Sequence, residues 1–279
     1  MGKPVLKPIG YDSYVIEYIP ADSGDDFDFA AEFARSQRQE AERDFEGACN
    51  TRLHAFQRLV EIIPDEGETV LDWAAENVPA AVITGYCSGL EHFLVGDWEM
   101  AAAIFETLLD IDPEDHTEAT IPLAYTYIAM GEYESFDDIV NDVNDKYPDK
   151  VLLTLWSEFR RKGKLPYGEL VRFKSRFKPY YDEFMADSHP VDGEYLRDIL
   201  SVRPPMQARA SELWLLTQHL WIPFPYFVEE LRRACTGWVN AVSVMLYPWS
   251  GARLVYCSSV LFQTLFTVRL QRSVTISCF

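Results

Sequence analysis

The fold of this chain is decided by residues 89–148, GLEHFLVGDWEMAAAIFETLLDIDPEDHTEATIPLAYTYIAMGEYESFDDIVNDVNDKYP, in which one residue pattern occurs twice. The distance from a Gly to a Pro is 17 residues in both copies, from Gly96 to Pro113 and from Gly131 to Pro148. Corresponding residues of the two copies lie 35 positions apart. A period of this length predicts an array of helix pairs in which each pair is one repeat.

The first copy has the arrangement of a helix, a turn and a second helix. Residues 81–95 carry apolar side chains at helical spacing, and Gly96 can adopt the left-handed backbone conformation that ends a helix. Asp97 then begins a second helix that runs to about Ile111. The second copy repeats this order around Gly131, so the sequence predicts two helices in each copy.

The two copies resemble the tetratricopeptide repeat pattern and form clear repeats at about residues 82–149. The positions that match the pattern are Gly89, Gly96, Trp98, Ala101, Phe105 and Pro113 in the first copy, and Ala124, Tyr127, Gly131, Tyr133 and Pro148 in the second. The chain departs from the pattern at Gly85 (usually a large aromatic residue), at His92 (usually Tyr) and at Phe136 (usually Ala). The resemblance implies an all-α, right-handed solenoid of antiparallel helix pairs that binds proteins or peptides.

A diverged earlier copy of the same pattern is predicted at about residues 33–65. Gly47 and Pro64 are again 17 residues apart. Arg52, however, stands where the first clear copy has Ala101, a small residue at which two helices cross closely. The resemblance is therefore weaker in this part of the chain.

The sequence divides into three parts. Residues 1–26 form an irregular N-terminal segment with a short extended stretch, residues 27–235 form the repeat-like helical domain, and residues 236–279 form an apolar tail. Within the helical domain, residues 66–78 are interpreted as an inserted helix and residues 167–185 as one long helix.

The tail differs in composition from the rest of the chain. From Thr236 to Phe279 there is no Asp, Glu, Lys or His, and the charged residues are Arg253, Arg269 and Arg272. Three interpretations stay open: a membrane-embedded hairpin, an apolar extension packed on the end of the solenoid, and a sequence not under selection. The first makes a membrane-associated assembly protein the alternative function.

Charge is distributed unevenly along the chain, whose formal net charge is −19. Residues 59–145 contain 21 Asp and Glu and no Lys or Arg, whereas residues 160–178 contain eight basic residues and one acid, Glu169. Generic nucleic-acid binding is excluded as an expectation, because it requires a basic surface to neutralise phosphates. The basic segment is interpreted either as a solvated face or as a patch that steers a partner of opposite charge.

No constellation of catalytic, metal-binding or cofactor-binding residues is recognisable. The five histidines form neither an HxH nor an HExxH motif, and the chain has no Walker A, GxGxxG or GxSxG motif. The acidic turn around His116 lacks the spacing and the central Gly of a calcium loop. We therefore expect a non-enzymatic protein without a metal or cofactor.

The cysteines bear on where the protein is found in the cell. Five cysteines are scattered through the chain without a CxxC motif, which describes neither a disulfide framework nor a zinc site. No long apolar run follows the N-terminus, so we expect no secretory signal peptide. The expectation is a cytoplasmic protein.

The resemblance also predicts where a partner binds, because the first helix of each repeat lines the concave face of the solenoid in the family. The predicted partner-binding residues are Ile83, Tyr86, Leu90, Phe93, Tyr125 and Ile128. Clamps of Lys and Arg that hold acidic C-termini in many such repeats cannot be built from residues 59–145, so the predicted ligand is an apolar or basic segment. The competing interpretation is that neighbouring helices of the same chain fill this groove.

Overall fold

A computed structural model describes residues 2–21, 26–64, 66–221 and 223–236 of the chain. The described residues form two compact units that meet in sequence after Gly131. Both units are built mainly of helices, which confirms the predicted all-α fold class. Except for Thr236, the predicted tail lies outside the described residues.

The first unit contains a small sheet and five helices. Its strands are β1 (Lys3–Pro8), β2 (Ser13–Ile19) and β3 (Val70–Leu71). Its helices are α1 (Phe29–Ala41), α2 (Phe45–Ile62), α3 (Val78–Val95), α4 (Trp98–Ile111) and α5 (Thr120–Met130). Consecutive helices pack against each other from α1 to α5, and α1 also contacts α3.

The boundaries of these helices follow from local residues. Asp28 and Asp44 cap α1 and α2, because their carboxylates accept hydrogen bonds of 3.0 Å from the backbone N–H groups of Ala31 and Gly47. Gly96 ends α3 with a φ of 81°, in the left-handed region that glycine adopts without strain. Gly131 ends α5 in the same way with a φ of 86°. Gly96 and Gly131 therefore end helices as predicted.

The N-terminal sheet differs from the prediction of an irregular segment over residues 1–26. β1 and β2 form an antiparallel pair that places Lys3 opposite Ile19 and Pro8 opposite Tyr14. The extended stretch predicted before Ile19 corresponds to β2, whereas β1 was not predicted. The reason is its composition, since two prolines and two lysines in six residues mask the strand pattern.

These prolines have a structural role at the outer edge of β1. Gly2 accepts a hydrogen bond from the N–H of Phe27 on the side away from β2, so residues 4, 6 and 8 present their backbone to the same side. Pro4 and Pro8 have no N–H to offer there. The edge of the sheet is thereby protected against pairing with another chain.

The predicted inserted helix over residues 66–78 is wrong. Val70 and Leu71 instead form β3, which runs parallel to β2. The N–H groups of Val70 and Asp72 donate to the carbonyl oxygens of Asp12 and Tyr14 at 2.8 and 2.9 Å. These two N–H groups, which a helix would pair with its own carbonyl groups, are therefore paired with carbonyl groups at the start of β2.

The second unit contains seven helices among its described residues. They are α6 (Tyr133–Ile139), α7 (Pro148–Lys162), α8 (Tyr167–Arg176), α9 (Lys178–Met185), α10 (Gly193–Ile199), α11 (Met206–Trp221) and α12 (Pro225–Thr236). The single helix predicted over residues 167–185 is divided at Phe177, where φ is −113° and ψ is 40°. Pro179 is the cause, because it has no N–H to donate to the carbonyl oxygen of Ser175 and its ring would clash with that carbonyl group in a continuous helix.

Aromatic side chains form the core of the second unit. Trp156 on α7 lies edge-to-face with Trp221 on α11, at a centroid distance of 5.1 Å. Phe184 on α9 and Phe227 on α12 lie 5.9 and 5.1 Å from the same Trp221 ring. Four helices thus meet around one tryptophan. Edge-to-face ring pairs stabilise a core by more than the burial of their apolar surface alone.

The close approach of α3 and α4 provides a test of the repeat packing. A Cβ atom on Gly89 would lie 2.6 Å from the ring of Phe105, so Gly89→Ala forces these helices apart. We expect a loss of about 1–3 kcal/mol in the free energy of unfolding. Gly168→Ala is the matched control, since its Cβ atom meets nothing within 4 Å and alanine favours the helix. Urea unfolding measures both, and equal stabilities of the two variants would contradict the packing described.

Candidate functional site

The six predicted partner-binding residues are all buried in this structure. Ile83, Tyr86, Leu90 and Phe93 lie on α3, and Tyr125 and Ile128 lie on α5. The most exposed of them, Tyr86, has a relative exposure of 6%. None of the six side chains therefore presents a surface that a partner can contact without displacing other residues.

Helices of the first unit itself cover α3. At Gly85, a Cβ atom would lie 3.1 Å from Phe56 on α2 and 3.2 Å from Leu108 on α4, so both helices approach α3 at this point. The ring of Tyr86 lies 5.9 Å from that of Phe105 on α4. For the α3 residues, the interpretation that the chain fills its own groove matches the packing. Partner contact by the six residues stays a prediction.

The packing also explains the composition of α3. Among the described residues, α3 alone has the length and the apolar composition that a membrane-spanning helix requires, with a mean hydropathy of 1.2. Thirteen of its 18 residues are buried inside the protein. A helix packed between two others has this composition because most of its surface is removed from water.

A buried ion cluster joins the first three helices. The guanidinium of Arg52 on α2 has no exposed surface, and its Nη1 atom lies 2.8 Å from a carboxylate oxygen of Glu40 on α1 and 2.5 Å from one of Glu91 on α3. Its Nε–H donates to the hydroxyl of Ser36 on α1 at 3.1 Å. The cluster occupies the position that is small in the clear repeat, so the departure at Arg52 places a charge at the helix crossing.

Burial shifts the pKa values of the groups around Arg52. Desolvation raises the pKa of Glu91, and the charge of Arg52 opposes this shift. Desolvation, followed by the charge of Glu91, raises the pKa of the Cys49 thiol to about 12. The pKa of the buried Cys87 thiol is also raised, mainly by burial. Both thiols therefore stay protonated at neutral pH, which does not suit a nucleophile or a metal ligand.

Two histidines of the first unit, His92 and His116, make contacts at turns. His92, at a position that is usually Tyr in the repeat, lies with its Nδ1 atom 2.9 Å from Asp97. The ring of His116 stacks on that of Trp73 at a centroid distance of 4.5 Å, and its Nδ1 atom lies 2.7 Å from Oδ1 of Asp112. Within residues 2–21, 26–64, 66–221 and 223–236, no group of three or more His, Cys, Asp or Glu is placed to hold a metal ion. These contacts hold turns in place and do not assemble a reactive centre.

The exposed side of α4 is acidic. Glu99, Ala103, Glu106 and Asp110 recur at spacings of four, three and four residues, and all four are exposed. We call these residues the α4 acidic face. Met100 lies beside it with a relative exposure of 41%. The carboxylate of Glu106 accepts a hydrogen bond of 2.6 Å from the hydroxyl of Tyr127 on α5, which attaches the middle of this face to the neighbouring helix.

Sequence reasoning missed the α4 acidic face and the ion cluster. The face could have been found from the absence of Lys and Arg in residues 59–145 combined with the helical spacing of its acids. The signal for the cluster was Arg52 at a small-residue position, but neither Glu40 nor Glu91 is distinguishable from the many surface acids without the packing.

Comparison with known proteins bears on the middle of the chain. Residues 93–155 match the family model described as tetratricopeptide repeat. The matched segment begins near the end of α3 and ends within α7, and it contains the Gly, aromatic and Pro positions of the second copy. No curated protein and no solved structure matches the chain significantly.

Removing the charge of Arg52 tests the ion cluster. Arg52→Met leaves Glu40 and Glu91 buried without a counter-ion, so we expect a loss of about 3–5 kcal/mol in the free energy of unfolding. Adding Glu40→Gln and Glu91→Gln to this variant removes the unpaired charges and recovers part of the loss. Arg38→Met, at an exposed position on α1, is the control. Equal stability of Arg52→Met and Arg38→Met in urea would show that the cluster does not stabilise the fold.

The raised thiol pKa values predict slow alkylation. At pH 8 we expect iodoacetamide to modify Cys49 and Cys87 much more slowly in the native protein than in denaturant, because unfolding restores the ordinary pKa values of both thiols and exposes Cys87. Mass spectrometry of the peptides reads each cysteine separately. Equal alkylation rates in native and unfolded protein would contradict this environment.

Proposed function

We propose that this chain, a tetratricopeptide repeat protein over residues 93–155, is a non-enzymatic scaffold that binds a protein or peptide partner. Repeats of this family generally mediate interactions between proteins, and a scaffold role follows from that property. The raised pKa values of Cys49 and Cys87, which keep both thiols protonated, support a role that does not depend on thiol chemistry. Both are free thiols, which suits the cytoplasmic setting that we propose.

The α4 acidic face is the observation that carries the choice of partner. It lies within the matched segment, and the 87 residues from 59 to 145 contain no Lys or Arg that could neutralise it from neighbouring positions in sequence. A field of one sign attracts a segment of the opposite sign and raises its association rate. We therefore propose a basic partner segment.

The exposed Met100 adds an apolar element to this surface. Its side chain, 41% exposed, lies next to Glu99 at the start of α4. A methionine is flexible and polarizable, so it adapts to different apolar side chains. The partner that fits best is a basic segment that carries at least one apolar residue, and this surface replaces the buried groove residues as the first point of contact.

Charge reversal on α4 tests this proposal. Glu99→Lys combined with Asp110→Lys keeps the Glu106–Tyr127 hydrogen bond and reverses both ends of the face. We expect the yield of a captured partner to fall by about tenfold, because each exposed pair contributes up to about 1 kcal/mol and reversal adds repulsion. Affinity capture with mass spectrometry, performed with the full chain, measures the yield.

The matched control for this experiment lies elsewhere in the first unit. Glu42→Lys combined with Glu46→Lys makes the same change in charge at exposed positions, and Glu46 lies in the first turn of α2 as Glu99 lies in the first turn of α4. The proposal predicts partners that are lost from the α4 variant and retained by the control. Partners that both variants capture equally well, with circular dichroism spectra unchanged, would refute recognition by α4.

Membrane association is a second candidate function, and the composition of residues 236–279 favours it. This segment has no acidic residue and no Lys, although it lies outside the described structure apart from Thr236. The candidate predicts that the full chain floats with liposomes in a density gradient and that a chain ending at Ala234 does not. Flotation of the shortened chain would rule out the tail as the anchor.

A further inference from the structure

The second unit carries a basic surface that the proposed function leaves without a role. Eight basic residues and one acid lie in residues 160–178, which include the end of α7, all of α8 and the first residue of α9. The formal charge of this segment is +7, in a chain whose net charge is −19. This positive charge is opposite in sign to the net charge of the protein, so solubility does not account for it.

Half of these basic residues are neutralised within the second unit. The pairs are Arg161 with Asp137, Lys162 with Glu158, Arg172 with Asp145 and Glu169, and Lys178 with Asp182. Arg160 stacks on the ring of Phe224 at 3.8 Å. Lys164, Lys174 and Arg176 make no ion pair with any residue of the described chain.

Two of the three remaining cations are held over aromatic rings. The Nζ atom of Lys174 lies 5.5 Å from the centroid of Tyr181, and the guanidinium of Arg176 lies 5.3 Å from that of Phe177. Such contacts position the charge without neutralising it. Both side chains are exposed, so their positive charges are presented to solvent.

An apolar stripe accompanies these charges on α8. Tyr167 and Val171 have relative exposures of 79% and 44%, and with Lys174 they are spaced by four and three residues on one face of the helix. The opposite face, with Leu170 and Phe173, is buried. We call Lys164, Tyr167, Val171, Lys174 and Arg176 the α8 basic surface.

We propose that the α8 basic surface binds the acidic segment of a second copy of this chain, centred on its α4 acidic face. The occupant is identified by complementarity, because the α4 acidic face exposes Glu99, Glu106 and Asp110, and residues 59–145 contain no Lys or Arg. The spacing also matches, since both faces repeat at four and three residues, and Met100 supplies an apolar partner for Tyr167 and Val171. Association between copies goes beyond the partner binding proposed above.

The sign of the salt dependence separates this contact from non-specific association. The net charge of −19 makes copies repel each other, so salt would strengthen any contact that is not built on charge. A contact between opposite patches weakens as salt rises, since the Debye length falls from about 8 Å at 0.15 M to about 3 Å at 1 M. The net negative charge also disfavours an anionic membrane as the occupant.

Sedimentation velocity of the purified full chain tests the proposal. We expect the mean sedimentation coefficient to rise with protein concentration at low salt and this rise to disappear in high salt. Lys164→Glu with Lys174→Glu, and separately Glu99→Lys with Asp110→Lys, each weaken association by about tenfold. The control is Arg197→Glu with Arg203→Glu, two exposed positions in the same unit, and we expect this variant to associate as the wild type does.

Mixing the two charge-reversed variants gives the decisive result. Each variant alone associates about tenfold more weakly than the wild type, but an equimolar mixture recovers association, because the acidic α8 surface of one meets the basic α4 face of the other. A wild-type chain that stays monomeric at low salt, association that strengthens with salt, or a mixture that stays monomeric overturns the proposal. Binding of the monomeric wild type, but not of the α8 variant, to phosphatidylserine vesicles would assign the surface to a membrane instead. Partner capture is measured separately, so failure here leaves the proposed function standing.

Discussion

The first unit depends on the buried ion cluster of Arg52, Glu40 and Glu91. A guanidinium without exposed surface must keep its carboxylates, because an isolated buried charge costs several kcal/mol. Since the three residues belong to α2, α1 and α3, these helices can shift relative to each other only by breaking the ion pairs. The cluster therefore fixes the position of α3 relative to α1 and α2. Helix α4, which carries the acidic face, packs on α3.

The departures from the repeat pattern are balanced by neighbouring side chains. Gly85 lacks the usual aromatic ring, and the space is filled by Phe56 from α2 and Leu108 from α4. Arg52, in place of a small residue, finds its counter-ions on two other helices. The helices pack closely at these positions despite the departures, because the volume is filled and the buried charge is paired.

The helices of the repeats could be predicted because their signals are local. The backbone freedom of Gly96 and Gly131 and the apolar spacing before them act within one turn of chain. β3 and the ion cluster could not be predicted, since Val70 pairs with Asp12 and Arg52 with Glu91, partners that lie far apart in sequence. The predicted groove placed Tyr86 at a surface by analogy, whereas the packing of α2 and α4 buries it. The charge asymmetry was visible in the sequence, but its arrangement as faces on α4 and α8 required the structure.

Native-state hydrogen exchange tests most directly whether the ion cluster makes α1, α2 and α3 one cooperative unit. We expect the slowest amides of these three helices to exchange through a single opening, with the same free energy and the same dependence on denaturant. A lower opening free energy for α1 than for α2 and α3, in protein with Arg52, Glu40 and Glu91 intact, would contradict it.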